Sequence, residues 1–369
     1  MINFFKYSLA IALLFTVTAS FSASPWEKYA HLFSPVRNYV AYKTTNEITI
    51  DGKADEASWR AAAWSDYFVD IEGDKQPKPL YPTRMKMLWD TENLYILTEL
   101  EEPNIWATYA QRDLIVYHEN DIEVFIDANG DGANYFEFEV NAINTLFDLF
   151  LPLSYRAGGA PLISYDARRF TSAVSIEGSL NNGSDTDSKW FAEMKIPFAD
   201  LQVWDGSEDP KDGTQWRIDL SRVNWQTEWV DGKYQKKITP ETGKAYPEYN
   251  WVWSAPGIIS MHAPERYGLL QFADVPVGSQ TVPFVAPADQ PVRDCCWLVY
   301  YTQKEFQSKN GRFAATLREL GIPVELERDG KLFSIKMEAT SQQFTVMCSS
   351  SAGLSYRLND EAVITKLKQ

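Results

Sequence analysis

The chain has 369 residues, a formal net charge of −15 and an aromatic content of 14%, including 13 Trp and 19 Tyr. This acidic balance argues against a nucleic-acid partner, because phosphate backbones are bound by basic surfaces. The length allows two or three domains.

Residues 1–23 have the pattern of a signal peptide. Lys6 is followed by an apolar run from Leu9 to Val17 and then by small residues, which is the order of a cleaved secretory signal. The run is too short for a bilayer, which needs about 20 apolar residues. We therefore predict export, to the periplasm or out of the cell, and no membrane span. A retained N-terminal anchor helix is the alternative.

A lead-in at residues 24–44 precedes the longest region of regular pattern, residues 45–274. Short runs there alternate apolar and polar side chains, as half-buried antiparallel strands do, and turn residues separate them. The predicted strands are Met85–Trp89, Leu94–Leu100, Ile122–Ile126, Tyr135–Val140, Thr171–Ile176, Trp190–Ile196 and Trp216–Arg222. Many short strands without a long helical pattern predict a mainly β fold, an antiparallel β-sandwich of the jelly-roll kind.

Helices are predicted at two places. The segment Asp55–Ala63 favours a short helix with its acidic first residue as N-cap. Residues 275–291, rich in Pro and Gly, form the predicted linker to residues 292–369. That last region has a helical pattern that ends near Gly311, followed by short strand-like runs, so we expect a small α+β appendage.

The three cysteines all lie in this C-terminal region and are too few for a disulfide scaffold. Cys295 and Cys296 are adjacent, and Cys348 follows downstream. In an oxidising compartment one of the first two could pair with the third, which leaves one thiol over. The pattern decides neither for nor against this bond.

The sequence offers no motif for catalysis. His31, His118 and His262 are widely separated, and no nucleophile elbow, zinc-binding helix or phosphate loop is present. Paired carboxylates of the kind that hydrolyse glycosidic bonds exist in any chain with 50 acidic residues. We therefore predict no catalytic residue; an associated activity would be hydrolysis of O-glycosyl compounds.

A succession of short motifs carries a family resemblance over residues 45–273. In chain order they are Ile48–Gly52, Trp59, Leu88–Asp90, Leu94–Tyr95, Tyr117, Glu123–Asp127 and Val140–Asn141. Their order and spacing resemble the family 9 carbohydrate-binding modules and their stand-alone secreted relatives. The resemblance implies a sandwich of that type and carbohydrate as the ligand. The C-terminal region looks like the helix-and-sheet appendage of these relatives.

The resemblance also implies a set of binding residues. In the family two aromatic rings clamp a terminal sugar, and nearby polar side chains bind its hydroxyls. The matching rings here are Tyr117 and Trp253. The matching polar positions are Glu123, Asn141, Asn250 and Glu139, the last of which stands where the family has a basic residue. A carboxylate there accepts hydrogen bonds where a guanidinium would donate them.

The segment 127–132 resembles the start of a calcium loop. Asp127, Asn129 and Asp131 place oxygen ligands on alternate residues, and Glu137 or Glu139 could add a ligand from the following strand. The family resemblance implies structural calcium as well. The alternative is a hairpin turn without a metal ion.

We therefore expect an exported protein that binds oligo- or polysaccharide without catalysis and supports polysaccharide breakdown by partner glycoside hydrolases. Three alternatives stay open. One is a haem-binding redox domain, with His118, His262 and Met261 as candidate axial ligands. The others are a glycoside-active enzyme and a structural or partner-binding protein with a degenerate sugar site.

Overall fold

A computed structural model describes residues 24–202 and 208–368. The predicted signal peptide at residues 1–23 lies outside the described residues. The described strands are β1 Asn38–Lys43, β2 Val69–Asp70, β3 Thr83–Trp89, β4 Asn93–Glu101, β5 Asp121–Asp127, β6 Tyr135–Asn141, β7 Leu146–Leu151, β8 Thr171–Glu177, β9 Lys189–Pro197, β10 Gln215–Asn224, β11 Thr227–Val230, β12 Lys233–Lys236, β13 Tyr249–Val252, β14 Gly268–Pro276, β15 Glu325–Arg328, β16 Lys331–Ala339, β17 Phe344–Ser350, β18 Ser355–Asn359 and β19 Ile364–Lys366. The described helices are α1 Pro25–Lys28, α2 Ala57–Ala61 and α3 Gln290–Asn310.

The strands predicted from alternation are confirmed, each to within two residues at either end. The list of predicted strands lacks β1, β2, β7 and β11 to β14. Of these, β7 and β14 are mostly apolar without a period of two. Every residue of β7 is buried, and a strand that is covered on both faces does not alternate. The predicted helix at Asp55–Ala63 is confirmed as the shorter α2, with Glu56 rather than Asp55 as its N-cap.

The large sheet folds over into the predicted sandwich. Its hydrogen-bonded order is β7-β6-β5-β10-β14-β1-β3-β4-β9-β8, with β13 and β2 added beside β10. The pairings are antiparallel except those of β1, which runs parallel to both β14 and β3. The main core lies between the two halves, where Ile122 and Val124 of β5 share one cluster with Ile96 of β4 and Met194 of β9. The fold class is therefore a mainly β sandwich.

The lead-in segment 24–44 contributes to both parts of the molecule. Its first turns pack on the C-terminal region, where the Trp26 indole N–H donates to the Glu327 carbonyl at 3.1 Å. Its last part is β1, in the middle of the large sheet. One strand of the large sheet, β1, thus precedes residue 45, where the predicted sandwich region begins.

The C-terminal region is a helix against a five-stranded antiparallel sheet, β15 to β19 in sequential order. Gly311 ends α3 with a left-handed φ of 69°, as predicted. Cys295, Cys296 and Cys348 are free thiols buried in the core between helix and sheet. None of the helices in the described residues is long and apolar enough to cross a membrane.

The C-terminal region and the sandwich are joined by specific polar contacts. The Ile364 amide donates to the Asp131 carbonyl at 2.8 Å, and the Arg217 guanidinium of β10 donates to Gln290 at 2.8 Å. The Arg293 guanidinium of α3 donates to the Gly130 carbonyl. These contacts bring the C-terminal region against the 127–132 loop and one end of β10.

One buried carboxylate fastens the segment before α2 to the sheet. Glu193 of β9 accepts hydrogen bonds from the Asp51 and Gly52 amides, both at 2.9 Å, and from the Trp59 indole N–H at 2.8 Å. Its side chain is fully buried. Replacing this acceptor leaves three donors without a partner.

Glu193→Ala should therefore lower the free energy of unfolding by about 2–5 kcal/mol, since each unsatisfied buried donor costs about 1–3 kcal/mol. Denaturant unfolding followed by circular dichroism measures the change. The control is Glu177→Ala at the exposed end of β8, for which a change within about 0.5 kcal/mol is expected. Equal stabilities of the two variants would contradict this role of Glu193.

Candidate functional site

Successive residues of β5 and β6 point to opposite sides of the large sheet. Ile122 and Val124 lie in the main core, together with Phe138 and Val140. The residues between them therefore face the other side of the sheet, where Glu123 and Glu139 line a cavity. The outer face of the sandwich at this point is thus acidic rather than apolar.

The strand register places these acidic side chains side by side. Glu123 pairs directly with Glu139, and Phe125 pairs with Glu137. Directly opposite residues of antiparallel strands have Cβ atoms about 4.5–5.5 Å apart on the same face. Asp121 precedes Glu123 by two residues and shares its face, so four carboxyl groups lie on neighbouring positions of two strands.

The cavity has a volume of about 520 Å³, which is within the range of small-molecule sites. Its floor holds Glu123, Glu137 and Glu139. The walls and rim are mostly apolar or aromatic, and they include Ile115, Tyr117, Phe147, Tyr155, Ile163 and Ile259. The site therefore combines acidic hydrogen-bond acceptors with apolar surfaces.

Tyr117 stands at the rim with its side chain 40% exposed. Its backbone is fixed from both directions, because its N–H donates to Glu139 Oε2 and its carbonyl accepts from the Trp225 indole N–H, both at 2.9 Å. Burial and the nearby Glu139 carboxylate raise the pKa of the phenol. The ring is therefore neutral at physiological pH and free to contact a ligand.

Tyr155 also lines this cavity, and its side chain is 42% exposed. No motif in the sequence identifies this ring as part of a site. Its ring lies edge-on to His262, with centroids 4.3 Å apart. Burial and the neighbouring Arg156 lower the pKa of His262 to about 4, so this imidazole is neutral at physiological pH. In the sequence, Tyr155 is an aromatic residue between Ser154 and Gly158. Aromatic residues are common in loops, and this segment has no strand or helix periodicity that could have marked the ring as part of a site.

Trp253, predicted as the second clamp ring, does not reach the cavity. Its side chain is 1% exposed and lies in the main core, packed so closely on Gly268 that a Cβ there would meet the indole. The register explains this: Val252 pairs with Ser221, opposite Glu123, whereas Trp251 pairs with Arg222 on the core side. Trp253 follows the core-facing parity, so the prediction was wrong.

Asn141, which was expected to bind sugar hydroxyls, has a fully buried side chain. Its amide group is engaged in hydrogen bonds within the protein. Its amide oxygen accepts from the Ile143 and Thr145 amides, and its NH₂ group donates to the Tyr109 carbonyl at 2.9 Å. It shapes the turn after β6 instead of contacting a ligand. Asn250 lies half-buried on the cavity wall, beside the other predicted side chains.

The 127–132 loop is held by its own hydrogen bonds. The Asp127 carboxylate accepts from the Gly130 and Gly132 amides at 2.8 and 3.0 Å. Asn129 and Asp131 accept from amides two residues further on. These are turn contacts of the kind that Asn and Asp form without a metal ion, and the Arg293 guanidinium adds a positive charge to the loop. Calcium binding here stays a prediction that no contact of the loop supports.

Burial dominates the electrostatics of the cavity floor. Desolvation raises the pKa of Glu123 to about 7. It also raises the pKa values of Asp121, Glu137 and Glu139 well above their usual range, and mutual repulsion within the cluster adds to this. None of the four forms an ion pair with a Lys or Arg among residues 24–202 and 208–368.

Two of the three candidate haem ligands line the cavity, and the third does not. Met261 and His262 line the cavity, and His262 Nδ1 lies 2.9 Å from the Tyr135 hydroxyl. His118 is exposed next to Tyr117, with ring centroids 4.7 Å apart. Haem binding stays a prediction.

Comparison with known proteins agrees with the resemblance expected from the motifs. Residues 50–221, a little under half of the chain, match the model of the carbohydrate family 9 binding domain-like family. Endo-1,4-beta-xylanase C of Paenibacillus barcinonensis is 30% identical over 169 residues, 44% of this chain. The chain spans about one seventh of that relative, since the match covers 14% of its length.

Two solved structures are similar over a larger share of the chain. A proposed carbohydrate-binding protein from Bacteroides uniformis has a TM-score of 0.47 and 14% identity, covering 64% of this chain and 100% of its own. A family 9 carbohydrate binding module from Caldicellulosiruptor kristjanssonii, in complex with cellotriose, has a TM-score of 0.38 and 15% identity. It covers 68% of this chain and 100% of its own.

The wall that carries Tyr155 depends on the adjacent Arg156. This guanidinium donates to both oxygens of the buried Glu265 at 2.8 Å and to the His262 carbonyl at 2.9 Å. Tyr301 of α3 donates to the same Glu265 at 2.9 Å. The C-terminal helix thus takes part in the support of the cavity wall.

Arg156→Met should lower the free energy of unfolding by about 2–4 kcal/mol, because it leaves the buried Glu265 charge without its cation. Arg168→Met is the matched control, since its side chain is 84% exposed and its ion pair lies at the surface. A loss below about 1 kcal/mol is expected there. Thermal and urea unfolding of both variants measure the difference, and similar losses would contradict a supporting role for Arg156.

Proposed function

We propose that the family 9 binding domain-like sandwich binds a neutral carbohydrate in the cavity between β5, β6 and β13. Tyr117 and Tyr155 would contact the apolar faces of the sugar, and Glu123, Glu139 and Asn250 its hydroxyl groups. The observation that carries the proposal is one cavity that combines two exposed tyrosine rings with a floor of hydrogen-bond acceptors.

The two rings suit a pyranose because both line the cavity and are partly exposed. A pyranose has C–H groups on its ring faces and hydroxyls around its edge. Contact with an aromatic face removes the C–H groups from water, while the polar edge still finds hydrogen-bond partners. Ile115 and Ile259, exposed at the same rim, extend the apolar surface beyond a single ring.

The acidic floor favours a ligand that both donates and accepts hydrogen bonds. A carboxyl group accepts when it is ionised and also donates when it is protonated, and a sugar hydroxyl can pair with either form. The amide of Asn250 offers two donors and an acceptor beside them. Without a bound cation, a uronic acid or sulfated sugar would bring a like charge against Glu123 and Glu139, so we expect neutral sugars to be selected under that condition.

Support for polysaccharide breakdown is the wider role that we propose. One relative that part of the chain matches is a xylanase, and the match covers 14% of that enzyme. Export through the predicted signal peptide would bring the protein to polysaccharides outside the cytoplasm. Partner glycoside hydrolases would then act on the polymer that this domain holds.

The test replaces the two rings separately. Tyr117→Ala and Tyr155→Ala should each weaken binding of the best neutral oligosaccharide from a glycan array by about tenfold or more, which corresponds to about 1.4 kcal/mol. Isothermal titration calorimetry measures the affinities. Tyr67→Ala, which removes an exposed ring that does not line the cavity, should bind like wild type.

Two results would contradict the proposal. One is wild-type protein that binds no glycan on the array; the other is both ring variants with wild-type affinity. Trp253→Phe separates the roles of the aromatic residues, because a core ring should affect stability and leave affinity unchanged. Cleavage products from the bound oligosaccharide would favour the glycoside-active alternative over binding alone.

A further inference from the structure

We propose that Asp121, Glu123 and Glu139 form a binding site for a divalent cation, with Ca²⁺ as the best match, at the floor of the cavity. The site does not depend on sugar binding, because the ligands come from two paired strands and are in place without a sugar. It is also distinct from the 127–132 loop that the sequence suggested for calcium.

The geometry is the first support. Asp121, Glu123 and Glu139 each offer a carboxylate oxygen, and these oxygens lie within 4.8 Å of one another. An ion with Ca–O distances of 2.3–2.6 Å, as proteins show, can contact oxygens that are separated by up to about twice that length. The β5–β6 register holds the three side chains on one face without any loop.

Unpartnered oxygens inside the cluster are the second, independent support. Both carboxylate oxygens of Asp121 are buried without a hydrogen-bond partner among the described residues, and so is Oε2 of Glu137. Asp121 is fully buried, and Glu137 nearly so. Buried polar groups are almost always paired, so these oxygens require an explanation, and a bound ion is one that also fits their position.

The uncompensated carboxyl groups of the cluster also favour a bound cation. Four carboxyl groups lie together here, and none forms an ion pair with a basic residue of the described part of the chain. Burying an uncompensated carboxylate costs several kcal/mol even after relaxation. A divalent cation would offset two of these charges at once and satisfy the free oxygens.

The donor set selects the kind of ion. All the ligands are carboxylates without a His or Cys among them, which suits hard cations and not zinc or copper. Three carboxylates supply up to six oxygens in an irregular arrangement, and Ca²⁺ accepts six to eight oxygens with flexible geometry, whereas Mg²⁺ needs a near-ideal octahedron. Glu139 is already oriented by the Tyr117 amide on Oε2, and the cavity provides access for the ion and its waters.

The experiment titrates CaCl₂ into the full chain after EDTA treatment and desalting, without any sugar. Calorimetry should show one saturable site with a Kd of about 10⁻⁴–10⁻³ M, the range of extracellular calcium modules, and Ca²⁺ should raise the melting temperature. Asp121→Asn and Glu139→Gln should each weaken this binding by about tenfold or more. KCl at equal ionic strength controls for screening, and it should leave the melting temperature unchanged.

Asp131→Asn is the matched control, because it removes the same charge from the 127–132 loop. It should bind Ca²⁺ like wild type; loss of binding in this variant alone would overturn the assignment. Absence of saturable binding by wild type up to about 10 mM Ca²⁺, tenfold above the weakest extracellular sites, would overturn it as well. This outcome is independent of the glycan array, so the sugar site and the cation site can fail separately.

The variants themselves are expected to fold. Asp121→Asn and Glu139→Gln replace a buried carboxyl with a neutral group of the same size, so without Ca²⁺ their melting temperatures should equal or exceed that of metal-free wild type. Circular dichroism verifies the fold before titration. If folded Asp121→Asn and Glu139→Gln both bind Ca²⁺ with wild-type affinity, the proposed ligand set is wrong.

Discussion

The pairing of β5 with β6 on one side and β10 on the other is the constraint on which the rest of the structure depends. It sets Glu123 directly between Glu139 and Ser221. Because side chains alternate, a shift of one residue would exchange the core face and the cavity face along the whole strand. Such a shift would bury the carboxylates in the sandwich and expose Ile122 and Val124, so the hydrophobic core enforces the register that assembles the acidic floor.

Two apolar clusters frame the carboxylates on the same face of the sheet. One contains Phe125, Val252 and Tyr267, and the other contains Tyr135 and Phe147. They exclude water from the floor of the cavity, which raises the cost of each charge there. The chain keeps this costly arrangement without basic partners among the described residues, as is typical of a binding site and uncommon in a purely structural surface.

Residues outside the sandwich also support the cavity. Glu265 accepts hydrogen bonds from Arg156 on the cavity wall and from Tyr301 on the C-terminal helix. The C-terminal region therefore helps to support the wall that carries Tyr155. The lead-in segment joins the same two parts from the other end, with its first turns on the C-terminal region and β1 inside the large sheet. The candidate site thus draws on segments that are far apart in sequence.

The sequence by itself determined seven strands of the sandwich, because alternation of apolar and polar side chains is a property of short segments. Tyr117, Glu123 and Glu139 were expected from the family resemblance, and the pairing of β5 with β6 brings them to one cavity. Only the tertiary structure decided which face of β13 opens to the cavity, and it buried Trp253 because parity depends on pairing with β10. It also supplied Tyr155 from a segment that no periodicity marks, because the position of this ring depends on the long-range contacts of the adjacent Arg156 with Glu265 and His262.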